Sequence, residues 1–171
     1  MTRADTQAKI VTRERLVETL KTLRKQGKTV VTSNGCFDLL HVGHIATLEA
    51  AAAKGDILVV GVNADATVTS LKGPDRPLVP QAERARMVAA LDCVDYVVIF
   101  DEPTPIELIE AVRPEVHVKG GDYGPELGEA PTVRALGGRV VFVPLVPGLS
   151  TTTLAQRIRG SVADMPEGLD H

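Results

Sequence analysis

Apolar positions along this chain recur in two alternating spacings. Leu16, Val17, Leu20 and Leu23 share one face of a helix that Thr12 opens and Gly27 ends. Residues 1–11 read as a loose lead before it. The run 28–33 predicts a first strand, and an alanine-rich stretch predicts a helix over 43–54 with Gly55 as its stop. The run 57–62 is apolar on both faces, as in a central parallel strand. Residues 65–79 read as irregular. A helix over 80–91 and a strand over 96–100 follow.

Thr104-Pro105-Ile106-Glu107 has the form of a capping box with proline at the first helical position, and that helix must stop before Pro114. A strand over 116–119, a short helix near 130–136 and a strand over 139–144 come next. The last helix starts in Gly148-Leu149-Ser150-Thr151-Thr152-Thr153. Strands alternating with helices predict a Rossmann-like, doubly wound α/β fold with a parallel five-stranded sheet and one domain. The expected division is an N-terminal lead and helix (1–27), the working domain (28–159) and a disordered tail (160–171). Ligands in such sheets bind beyond the C-terminal strand ends, where strand order reverses. His41, Asp65, Lys119 and Asp122 are all expected at that rim.

The 171 residues suffice for one domain with a full core. A net charge of −3 argues against a general nucleic-acid surface, so a bound anion must be held by local donors. Two cysteines, Cys36 and Cys93, form no disulfide framework. No apolar run approaches the ~18 residues of a membrane span, and the polar N-terminus lacks a signal-peptide core. A cytoplasmic protein is expected.

Candidate chemistry concentrates in Asn34-Gly35-Cys36-Phe37-Asp38-Leu39-Leu40-His41-Val42-Gly43-His44. Two of the four histidines flank one glycine where a strand turns into a helix. A helix N-terminus presents free N–H groups and partial positive charge, and imidazoles add further donors for phosphate oxygens. The plain alternatives are isolated surface or core histidines, or zinc. Zinc would need two more ligands, and His117 falls inside a strand. Cys36 has no base–orienter pair to make it a nucleophile.

The motif, together with Val62-Asn63-Ala64-Asp65, Leu71-Lys72-Gly73, Arg76-Pro77, Glu83-Arg84, Val94-Asp95-Tyr96-Val97-Val98, Val118-Lys119-Gly120-Gly121-Asp122-Tyr123 and Ser150-Thr151-Thr152, resembles the His-x-Gly-His nucleotidyltransferase superfamily. The likeness runs from about residue 9 to 158. It is strongest to heptose 1-phosphate adenylyltransferases, which occur alone, as expected here, or fused behind a sugar kinase. The resemblance implies ATP and a sugar 1-phosphate as substrates, with Mg²⁺ bridging the triphosphate and no direct protein ligand to the metal. AMP would pass to a heptose 1-phosphate, giving ADP-heptose and pyrophosphate. A homo-oligomer, a dimer above all, is also implied.

Residue by residue, the resemblance gives His41, His44 and Lys72 catalytic roles. Asn34, Gly35, Cys36, Phe37, Gly43, Lys119, Gly121, Asp122, Ser150, Thr151 and Thr152 join the two histidines around the nucleotide. Asp38, Asp65, Lys72, Arg76 and Arg84 would face the acceptor. Bland roles stand beside these: N-capping for Ser150 to Thr152, a solvated loop for Lys72 and Arg76, an outward arginine for Arg84, turn residues for the aspartates. Glycerol-phosphate cytidylyltransferases are similar too. They carry an arginine where this chain has Leu145, and their strand-four motif differs, so the heptose type is favoured. The rivals are a CTP-dependent enzyme for a sugar or alcohol phosphate, an adenylyltransferase for a vitamin-derived phosphate, and a nucleotide sensor without catalysis.

Overall fold

A computed structural model describes residues 5–121, 127–144 and 151–163, with side chains of the last helix described through Ile158. A 3-10 turn (Thr6–Lys9) leads into α1 (Arg13–Lys25), β1 (Val30–Gly35), α2 (Val42–Ala52), β2 (Ile57–Asn63), α3 (Asp65–Lys72) and α4 (Gln81–Ala89). Then come β3 (Tyr96–Phe100), α5 (Ile106–Val112), β4 (Val116–Gly120), α6 (Ala130–Ala135), β5 (Arg139–Val143) and α7 (Thr151–Ala163). The five strands form one parallel sheet in the order β3-β2-β1-β4-β5. The chain winds outward from β1 to β3, then crosses back to β4 and β5. The order therefore reverses between β1 and β4, the expected switch point.

Strand alternation sends neighbouring residues to opposite faces, and both faces are covered. Val31, Val60, Val97 and Val118 pack with Leu48 of α2 and Ala85 and Val88 of α4. Val30, Val59 and Val98 pack with Leu16 and Leu20 of α1 and Leu108 and Val112 of α5. Thr12 caps α1 as expected, accepting from the Arg15 N–H.

Four expectations need correction. The lead is tied down: Ile10 pairs with Val97, and the Lys9 ammonium donates to the carbonyls of Leu91 and Val94 at 3.2 and 2.7 Å. The stretch 65–79 is helical in its first half. Thr and Val residues give α3 weak intrinsic propensity, so its support is tertiary: Val68 is fully buried and the Thr67 hydroxyl donates to the Asp101 carbonyl at 2.7 Å. Gly73 stops it with φ +100°, a region that only glycine enters readily. The 104–107 capping box does not form. Pro105 itself occupies the N-cap of α5, one residue later than expected, with no side-chain bond. Finally, α7 continues to Ala163, past the expected start of the tail.

Candidate active site

His41 caps α2 with extended backbone and no side-chain capping bond, and His44 sits one turn in. Their rings stack with centroids 3.8 Å apart and planes 21° from parallel. Phe37 holds the turn that delivers them. Its φ of +50° is rare for a residue with a side chain, and such backbone persists where surroundings over-determine it. Its buried ring lies 5.2 Å from the His44 ring. A Cβ on Gly35 would stand 3.3 Å from the same ring.

The surroundings favour the uncharged form of both histidines. Burial lowers the His41 pKa below its ordinary value. Burial, then the charges of His41 and Lys72, push His44 down to about 4. Each neutral ring carries one N–H donor and one acceptor nitrogen. The Nδ1 atom of each is buried without a partner among the described residues. Two adjacent orphaned nitrogens at a helix N-terminus call for an external polar group.

Lys72 ends α3, exposed, and its charge reaches His44. Arg76 and Asp38 pair with each other. Asp38 is 1% exposed; its Oδ1 accepts from the N–H groups of Leu78 (2.7 Å) and Val79 (3.1 Å), while its Oδ2 takes the Arg76 guanidinium. Burial would raise the Asp38 pKa, but these bonds outweigh it and hold the carboxyl below its usual range. Asp38 is thus a strut that fastens the 76–79 segment to the motif, where an acceptor contact was expected.

Arg84 departs furthest from expectation. Its side chain is wholly buried in α4. Nε donates to the Val79 carbonyl at 2.8 Å, Nη1 to the Cys36 carbonyl, and Nη2 to the Asn63 carbonyl (2.8 Å) and Asp65 Oδ1 (2.7 Å). Four of its five N–H groups are committed to the protein, so it brackets the motif turn to the end of β2. Asp65, expected to meet sugar hydroxyls at a strand tip, opens α3 and serves as Arg84's counter-charge.

Lys119, at the end of β4, forms a buried ion pair with Glu129 at 2.9 Å. His117 stands behind it. Its Nδ1 meets the Thr32 hydroxyl at 2.8 Å, and its Nε2 lies 3.6 Å from Glu129, beyond hydrogen-bond range. Burial opposes the Glu129 charge, yet His117 and Lys119 together bring its pKa down to about 2. Burial also lowers the His117 pKa. Glu129 and Thr32 escaped the sequence reading, and His117 entered it only as a zinc ligand that was set aside: no spacing links residues about 85 apart, and only the β1–β4 pairing joins Thr32 to His117. The Cys36 thiol lies 3.9 Å from Asn63 Oδ1. Gly121 is exposed just past β4, and Thr151 begins α7, buried, with Thr152 exposed beside it. Asp122, Leu145 and Ser150 lie outside the described residues.

The cytidylyltransferase-like family matches residues 33–158, which include the whole motif turn, both orphaned imidazoles and the start of α7. This chain belongs to the cytidylyltransferase-like family. It is a nucleotidyltransferase. The bifunctional protein HldE of Syntrophotalea carbinolica is 54% identical over 153 residues, 88% of this chain and 31% of that protein. HldE of Koribacter versatilis is 54% identical over 152 residues, again 88% of this chain and 31% of that protein. The chain thus spans about a third of the length of these relatives. A crystal structure of the lipopolysaccharide core biosynthesis protein from Thermoplasma volcanium GSS1 superposes with a TM-score of 0.60 at 28% identity, covering 70% of this chain and 97% of that one. The stacked pair lies at the switch point, where ligands of such sheets bind. Among the described residues no helix is long and apolar enough to cross a membrane.

Proposed function

We propose that this enzyme moves AMP from ATP to a heptose 1-phosphate, forming ADP-heptose and pyrophosphate. The observation that carries the reading is the stacked His41–His44 pair at the N-terminus of α2, with two buried, unpartnered ring nitrogens. The similarity to HldE proteins at over 50% identity supports the heptose acceptor.

The chemistry asks little covalent work of the chain. An oxygen of the acceptor's phosphate attacks the α-phosphorus in line. The bond from that phosphorus to the bridging oxygen breaks, and pyrophosphate leaves with the electron pair. Negative charge grows on the non-bridging oxygens, where fixed N–H donors lower the barrier. His41, His44 and the first N–H groups of α2 are those donors in this reading. Lys72, exposed at the end of α3, supplies a cation to the same phosphates. Thr151 and Thr152 hold the outer phosphates at the start of α7.

Mg²⁺ fits this site as an ion carried by the substrate. Asp38 and Asp65 are engaged by arginines, Glu129 by Lys119, and among the described residues no three potential ligands cluster. Phosphate oxygens and water would hold the ion, which neutralises triphosphate charge when bound.

The test is a product assay crossing four nucleoside triphosphates with several sugar 1-phosphates and with glycerol phosphate, read by pyrophosphate release. Preferred use of ATP with a heptose 1-phosphate is expected. The name of the matched family supports a second reading, CTP with a sugar or alcohol phosphate. Selective turnover of that pair would replace the first.

A further inference from the structure

At the rim of the sheet, beside the histidine turn, lies a cleft of about 260 Å³. One wall is polar: Asn34 at the end of β1, Asn63 at the end of β2, and the Lys119–Glu129 pair. The rest of the lining is Leu71 and Gly128 with the 103–106 segment beyond β3, formed by Pro103, Thr104, Pro105 and Ile106. Asn34 Oδ1 is buried and unpartnered.

These walls select a ligand by chemistry. The Lys119 and Glu129 charges neutralise each other, so this wall has no surplus charge for a phosphate. It does present carboxylate and amide oxygens, which accept from hydroxyls. The prolines and Ile106 offer an apolar face for ring C–H groups. The volume falls just below the roughly 300 Å³ at which pockets enclose drug-sized ligands, and so suits a single small ring. Position agrees. The cleft is lined from the ends of β1, β2 and β4 and from the segment after β3, and no described residue of α7 lines it. Asn34 lies near the end of β1, the strand that leads into the histidine turn, so a ring in the cleft would sit close to that turn.

We infer that this cleft receives the uncharged polyhydroxyl ring of the acceptor, with Glu129 and Asn63 as specificity-determining residues. The inference rests on the reading of the acceptor as a sugar 1-phosphate. A carboxylate accepting from a sugar hydroxyl discriminates strongly, because an acceptor lacking that hydroxyl leaves a buried charged group short of a partner.

The experiment pairs turnover with calorimetric binding of heptose 1-phosphate, using Glu129→Gln and Thr104→Trp. Thr104 is exposed, so the tryptophan fills the cleft from its rim even where loss of the Glu129 charge weakens the fold. Each variant should raise the acceptor KM by about tenfold or more, and Thr104→Trp should leave the ATP KM within about twofold of the parent value. Unchanged acceptor KM in both variants overturns the inference. So does a rise confined to ATP, which would place the nucleobase in the cleft. A parent enzyme that releases no pyrophosphate with any sugar 1-phosphate refutes the functional reading instead. The calorimetry then decides the cleft alone: binding that Thr104→Trp abolishes supports it, and no binding to the parent overturns it.

Discussion

The imidazoles of His41 and His44 stack at 3.8 Å, and neither Nδ1 has a protein partner. Stacking two cations in a half-buried site would be unfavourable, and the lowered pKa of each ring acts in the same direction, favouring a neutral resting pair. Replacing either histidine by alanine should reduce turnover by roughly 10²–10³, the usual loss when one transition-state donor is removed. The melting temperature should stay within a few degrees of the parent, because the rings satisfy no protein group through Nδ1. Parallel kinetics and thermal melts check this, and near-parental turnover in both variants would defeat the assigned role.

Stability should depend on pH through the same residue. The folded His44 pKa, about 4, lies below its unfolded value near 6.5. Between these values the unfolded chain binds more protons, so stability is fully present above about pH 6.5 and declines as pH falls toward 4. The loss attributable to His44 is on the order of 2 kcal/mol once solvent screening is discounted. His117, also lowered by burial, acts in the same direction. Glu129, with its pKa near 2, adds a separate loss below its ordinary carboxyl range, as pH falls toward 2. Urea unfolding from pH 4 to 7 should show a shallower slope in His44→Gln than in the parent. Identical slopes would remove His44 from the linkage.

Arg84→Met should destabilise the fold by about 3–5 kcal/mol, since it leaves the carbonyls of Cys36, Asn63 and Val79 short of a donor. Chemical denaturation measures this directly. A variant of parental stability with only a weakened acceptor KM would restore the substrate-facing role expected from sequence.

Lys72→Ala should raise the KM of phosphate-bearing substrates or lower turnover with no loss of stability, because the side chain is exposed. Asp38→Asn should do the reverse. It weakens the hold on Arg76, Leu78 and Val79, costing about 1–3 kcal/mol, and should speed proteolysis of the 73–79 segment. Limited digestion followed by mass spectrometry locates the cut.

The two arginines and two aspartates assigned to the acceptor show where sequence reading stops. Arg76, Arg84, Asp38 and Asp65 carry the right charges beside the right motif, and two charge pairs are what the fold makes of them. Charge type is legible in a sequence; the partner that neutralises it is not. The Lys119–Glu129 pair repeats the lesson, because Glu129 belongs to no motif and meets Lys119 only through the placement of α6.

By itself the sequence determined the alternation of strands and helices, the parallel sheet and the turn that carries both histidines. Those follow from local periodicity, caps and glycines, which act over a few residues. Tertiary structure alone decided that α3 is helical, that Arg84 points inward, that the imidazoles stack and that a polar-walled cleft opens beside them. Each of these depends on groups far apart in the chain, whose burial and pairing exist only once the sheet has brought their elements together.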